Sequence, residues 1–235
     1  MRLLLTRPAA EAMDLAARLG GLGHAVMIEP VLRIVPVEPP VIQAEGVQAV
    51  LLTSRHGAQA LGGRHELRML PVLAVGGATE RAAREAGCRD VRSAAGDAAS
   101  LARLVRDSLD PQAGRLLHLA GREVAVDLAG ELGAAGFAVE RVVAYAAEAT
   151  PALSAGAQVA LHQGALDAVL FFSPRSATVF VDLAGKARVL PTLRRLLACC
   201  ISAATAATAG AVPWGRIAVA DEPTETAMIR LCDEH

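Results

Sequence analysis

The stretches Arg2–Val26 and Arg115–Val139 are the same segment written twice. RLLLTRPAAEAMDLAARLGGLGHAV and RLLHLAGREVAVDLAGELGAAGFAV agree at 12 of 25 positions without a gap. The shared residues open with Arg-Leu-Leu, pass through Ala-x-Asp-Leu-Ala and close with Leu-Gly-x-x-Gly-x-Ala-Val. The pattern reads as strand, helix, glycine-ended turn, strand. The likeness goes on: AVLLTSRHGAQAL (49–61) matches AVLFFSPRSATVF (168–180), and Val75–Thr79 lies over Ile201–Thr205.

Each repeat carries five strand-like runs: Leu3–Thr6, Ala25–Pro30, Ala49–Thr53, Val72–Gly76 and Asp90–Ser93, then Leu116–Leu119, Ala138–Val143, Ala168–Phe172, Ala198–Ser202 and Ile217–Ala220. Helical patterns separate most of them. The expectation is an α/β protein with two similar flavodoxin-like domains, each a parallel sheet covered on both faces. The Pro-rich breaks VPVEPPVIQAEG (35–46) and AEATPALSAGAQ (147–158) fall inside the repeats, not between them. That favours interleaving over two sequential domains divided near 107–114: residues 1–33 with 152–235 form one domain and 41–143 the other. Residues 34–40 and 144–151 join them as a two-stranded ladder.

The remaining totals exclude whole classes. A formal net charge of −1 gives no basic field for nucleic acid. The uncharged run Leu196–Gly215 is rich in Ala, Ser, Thr and Gly, with Pro213 near its end. By its twin in the first repeat it reads as a short strand and helix, not a membrane span. MRLLLTRP has too short an apolar run for a signal peptide, so a cytoplasmic protein is expected. Cys88, Cys199, Cys200 and Cys232 form no C-x-x-C and meet no His at zinc-ligand spacing. Cys199 and Cys200, adjacent on a strand, are expected on opposite faces, buried and reduced. No metal site is expected.

Ligands of such sheets bind outside the carboxyl ends of the strands, where the strand order reverses. The small and polar residues collect there: Thr6 and Arg7, Ser54, Gly76 to Thr79, Gly121 and Arg122, Ser173 to Ser176, and Ser202 to Thr205. Serine and threonine at these places are also ordinary helix N-caps. Free N–H groups at helix starts favour a carboxylate or phosphate. GGLG (20–23) ends a helix and is no dinucleotide loop, and the chain has no Walker motif, G-x-S-x-G or H-E-x-x-H. The expected ligand is anionic, and its chemistry asks little of side chains.

Taken in order, LLLTRP, LLTSRHGAQAL, LAVGGATERAAREAG, VERVVAYAAE, VLFFSPRSATVF, ISAATAATA and PTETAMIRLC resemble the uroporphyrinogen-III synthase family over essentially the whole chain. Two departures stand out. Ala146-Ala147-Glu148 follows Tyr145 where the family often has Arg or Thr, and Ser202-Ala203-Ala204-Thr205 replaces the frequent Gly-Pro-Thr-Thr. The resemblance implies a lyase of haem biosynthesis without metal or cofactor. Its substrate is hydroxymethylbilane, a linear tetrapyrrole with eight carboxylates, closed to uroporphyrinogen III with loss of water and inversion of ring D. It further implies a substrate held between two domains by the loops of Thr6, Arg7, Ser54, Gly76, Thr79, Arg122, Ser173, Ser202 and Thr205. Tyr145, the only tyrosine, would donate a proton to the leaving hydroxyl. A monomer is expected, with transient contact to the preceding pathway enzyme. A non-catalytic two-domain module closing on a small anion would share nearly all these features.

Overall fold

The computed structural model describes residues 1–37, 42–124 and 126–234. The last three positions of the expected linker 34–40, and residue 41, lie outside the described residues. The first limb of the chain is β1 (Arg2–Leu5), α1 (Ala9–Gly21) and β2 (Ala25–Ile28), followed by β3 (Leu32–Pro36). The middle runs β4 (Val47–Leu52), α2 (Arg55–Gln59), α3 (His65–Arg68), β5 (Val72–Ala74), α4 (Gly77–Glu85), β6 (Val91–Ser93), α5 (Ala98–Ser108), β7 (Arg115–Gly121), α6 (Leu128–Ala134) and β8 (Val139–Ala149). The last limb is α7 (Ala155–His162), β9 (Ala168–Phe171), α8 (Pro174–Lys186), a 3₁₀ turn (Leu190–Arg195), β10 (Leu197–Cys200), α9 (Ala203–Ala209), β11 (Arg216–Val219) and α10 (Glu225–Asp233).

These elements form two compact units. One joins Met1–Arg33 to Glu148–His235, and the other is Ile34–Ala147. The first unit holds a sheet in the order β11-β10-β9-β1-β2, and every pair in it is parallel. In the second, β3-β8-β7-β4-β5-β6 is parallel from β8 to β6. The chain therefore divides inside the repeats, as the Pro-rich breaks suggest. The β1–β2 part of repeat one sheets with β9–β11 of repeat two, and β7–β8 of repeat two sheets with β4–β6 of repeat one. Numbered by their place in the repeat, both sheets read 2-1-3-4-5, the flavodoxin order. β3 adds an edge strand beside β8. The Thr150 N–H donates to the Val31 carbonyl and the Val37 N–H to the Ala144 carbonyl, so this pair runs antiparallel.

The strands are almost wholly apolar because each sheet is covered on both faces. In the first unit Leu4, Val169, Phe171, Ala198 and Cys200 meet α7, α8 and α9 on one face. Leu3, Leu5, Leu170 and Cys199 meet α1 and α10 on the other. The adjacent cysteines thus point to opposite layers, as strand alternation requires. In the second unit Val50, Leu52, Leu117 and Leu119 face α2, α3 and α4. Ala49, Leu51 and Leu116 face α5 and α6. The Gly pairs close α1 and α6 alike: Gly23 and Gly136 have φ of 87° and 89°, and the next N–H bonds back to Leu19 or Leu132.

β8 departs from expectation. The expected run Ala138–Val143 and the expected linker strand 144–151 merge into one strand of 11 residues, because Val-Val-Ala-Tyr-Ala contains no Gly or Pro to end it. The uncharged run at 196–215 is β10, α9 and the turn after it, and no described helix is long and apolar enough to cross a membrane.

Candidate active site

The strand order reverses between β1 and β9 in the first unit and between β7 and β4 in the second. Thr6 and Arg7 follow β1, Ser173 follows β9, and Ser202 with Thr205 follows β10, so these residues occupy neighbouring strand ends of one sheet. In the other sheet Tyr145 lies on β8, Gly121 and Arg122 end β7, Ser54 follows β4, and Gly76 with Thr79 follows β5. These too are consecutive neighbours. The expected site residues therefore gather into two sets, one in each unit.

Within each set the side chains already have work. The Thr6 hydroxyl is fully buried and donates to the Leu170 carbonyl at 2.7 Å, tying β1 to β9. Arg7 pairs with Glu11 at 3.0 Å and with Glu225, and its guanidinium lies 4.7 Å over the Phe172 ring. Ser54, Ser173 and Ser202 are the N-caps of α2, α8 and α9, accepting from the N–H groups of His56, Ser176 and Thr205. The Ser173 and Ser176 hydroxyls lie 3.0 Å apart, as do those of Ser202 and Thr205. Thr205 and Thr79 are buried. Gly76 caps α4 in extended backbone, and a Cβ there would meet only the Gly96 carbonyl, 3.8 Å away. Arg122 is exposed. At these strand ends lie backbone N–H groups of helix starts, with arginine in the adjoining turn of α2 and α8. Arg55 opens α2 and Arg175 lies in the first turn of α8. Reading single loops for small residues passes over both, although each stands next to or near a capping serine in the paired SRHG and SPRS motifs.

Tyr145 is the centre of the second set. Its ring lies 5.4 Å from that of His56, at 56°. Its carbonyl accepts the Arg122 N–H at 2.9 Å. Arg141 reaches across from β8 and donates to the carbonyls of Gly121 and Arg122, each at 2.7 Å. His56 is buried on α2, its Nδ1 3.3 Å from Gln59 Oε1. Its position beside Tyr145 is invisible in sequence, since the two are joined only by the β4/β7/β8 packing.

His118 lies on β7, three residues before Gly121. Burial, with the Arg141 cation nearby, pushes its pKa down to about 4, so the ring is neutral at physiological pH. Its Nε2 is 3.1 Å from the Thr53 hydroxyl. Its Nδ1 is buried and has no partner among the described residues. The thiols sit elsewhere, in the first unit's core and under α4. Cys199 is raised by its contact with Cys232 and by burial, and burial lifts Cys200 to about 11. Among the described residues no group of three or more His, Cys, Asp or Glu is placed to hold a metal ion.

A family model described as uroporphyrinogen-III synthase HemD matches residues 13–230. Among solved structures, the fold is similar to that of uroporphyrinogen-III synthetase from Helicobacter pylori. The TM-score is 0.66 at 15% identity, over 100% of this chain and 99% of that one. It is also similar to a mutant uroporphyrinogen III synthase from the extremely thermophilic bacterium Thermus thermophilus, with TM-score 0.52 and 21% identity over 100% and 98% of the two chains. No curated protein sequence matches significantly. The structural likenesses speak for the fold, and the family model speaks for the chemistry. With that model spanning all but the two ends, the chain belongs to the uroporphyrinogen-III synthase family, cyclising lyases of tetrapyrrole biosynthesis.

Proposed function

We propose that this chain converts hydroxymethylbilane to uroporphyrinogen III, with Tyr145 as the acid and the strand-end loops of each unit as carboxylate holders. The observation that carries the assignment within the structure is the place of Tyr145, which stands against Gly121 and His56 at the β7/β4 reversal point. Eight carboxylates need many donors. The N–H groups at the start of α4 in one unit and of α8 in the other, with the exposed Arg122, supply them without a large net charge. Thr6, Arg7, Ser54, Gly76, Thr79, Ser173, Ser202 and Thr205 shape these loops, through the backbone more than through their own side chains.

In the reaction the hydroxymethyl C–O bond breaks. The hydroxyl takes a proton from the Tyr145 phenol and leaves as water, and an azafulvene cation remains. The substituted carbon of ring D attacks that cation to give a spiro intermediate. One bond of the spiro centre then breaks, the ring recloses inverted, and loss of a proton restores the pyrrole. The bilane can cyclise unaided to the uninverted isomer, so the protein's main contribution is to hold one folded geometry. The proposal includes a monomer acting in the cytoplasm.

Initial rates of hydroxymethylbilane consumption test the acid. Tyr145→Phe, which keeps the ring and removes the proton, is expected to lower kcat/KM by about 10²-fold, the usual scale of a general-acid effect. A wild-type rate for Tyr145→Phe would make the tyrosine a packing residue.

A further inference from the structure

The register of β7 on β8 slips by one residue at its end: Ala120 lies opposite Val143, but Gly121 lies opposite Tyr145. Ala144 is the extra residue of a β-bulge. Val142 and Ala144 face the layer of α2 and α4, and alternation alone would send Tyr145 to the other face. The bulge returns it to the same layer, where it meets His56. Gly121 then becomes critical for space and not for backbone freedom. A Cβ at Gly121 would stand 2.8 Å from Tyr145 Cε2, 3.0 Å from its Cζ and 3.2 Å from the Glu123 carbonyl. The backbone there has little freedom to retreat. Arg141 holds both the Gly121 and Arg122 carbonyls, and the Arg122 N–H is bonded to the Tyr145 carbonyl.

We propose that Gly121 is a positioning residue for Tyr145, the missing side chain and the bulge together forming the seat that fixes where the phenol points. This rests on the reading of Tyr145 as the proton donor. A methyl group at Gly121 displaces the ring at Cε2 and Cζ, and Cζ carries the hydroxyl. The loss therefore falls on the proton-transfer step, and substrate binding is spared.

A double-mutant cycle on the full chain tests this: wild type, Gly121→Ala, Tyr145→Phe and the double variant, read as kcat, KM, isomer fraction and thermal midpoint. Gly121→Ala is expected to fold, to lose about tenfold or more in kcat and to keep KM within about twofold. In the Tyr145→Phe background it is expected to add nothing, because the proton it misplaces is already absent. A wild-type kcat for Gly121→Ala overturns the inference, and so does a loss carried in full onto Tyr145→Phe. If Gly121→Ala does not fold, Arg141→Met replaces it: the exposed guanidinium goes, and the loss in kcat must again vanish beside Tyr145→Phe. A normal Tyr145→Phe enzyme would remove the acid reading and this inference with it. A slow Tyr145→Phe beside a normal Gly121→Ala would remove only the inference.

Discussion

A half-buried tyrosine and a buried histidine of the second unit show how differently the same core treats a polar group. Tyr145 is turned toward a loop cluster, whereas His118 is enclosed with one ring nitrogen unpartnered among the described residues. The enclosure has a pH signature. Above pH 6.5 the imidazole is neutral both folded and unfolded, and it contributes nothing to the pH dependence. Between 6.5 and about 4 the unfolded chain takes up a proton that the folded chain refuses, so stability falls as the pH falls. Below that window the full loss is about 3 kcal/mol, since the folded ring takes its proton only near pH 4 and the free ring near 6.5, and each tenfold change in proton affinity is worth about 1.4 kcal/mol. His118→Leu should abolish this slope. Denaturant unfolding at pH 5 and pH 7 checks it, and an unchanged slope in the variant would place the titration elsewhere. At this scale the sequence was least informative. Gly121 and Arg122 were recognisable as a strand end, but the reason for a glycine there lies in a ring on another strand. His56 and Arg141 gave no local signal, because their partners are brought near only by the sheet.

Among the elements, helix starts carry stability and, in the proposed function, the ligand contacts, and the two can be separated. Ser173 caps α8 and is bonded to Ser176, so Ser173→Ala should cost about 1 kcal/mol of stability. It should lower kcat/KM no more than about tenfold, since the backbone donors remain. Gly76→Val should cost the fold no more and activity more. Its extended backbone admits any residue and the Cβ space is open, so the fold should lose only about 1 kcal/mol. The side chain would nonetheless stand where a ligand must approach the start of α4, and activity should fall further than in Ser173→Ala. Thermal unfolding and initial rates on both variants decide this, and a fully active Gly76→Val would move the cradle away from α4. The strands were legible because they are uncharged runs between turns: Leu3–Thr6, Val72–Gly76 and Ala168–Phe172 each contain the strand observed, to within a residue or two. The two parts of β8 were legible as Ala138–Val143 and the linker strand 144–151, but not their continuity or the register shift within it, which leave no mark in composition.

At the scale of the molecule, the duplication was visible but its spatial partition is what gives each sheet its flavodoxin order. β1 is central to the first unit, and Leu4, fully buried, lies opposite Val169 of β9. Leu4→Ala should cost about 2–5 kcal/mol. Amide exchange should then speed up in β9 and β10, more than 160 residues along the chain, and less in β4 and β5, which are nearer in sequence. The reverse pattern would contradict the partition. One measurement tests the proposed turnover directly. The full chain is incubated with freshly made hydroxymethylbilane, the product is oxidised, and the uroporphyrin isomers are resolved. The predicted result is rapid consumption with isomer III dominant. Isomer I alone, formed at the rate seen without protein, would contradict it.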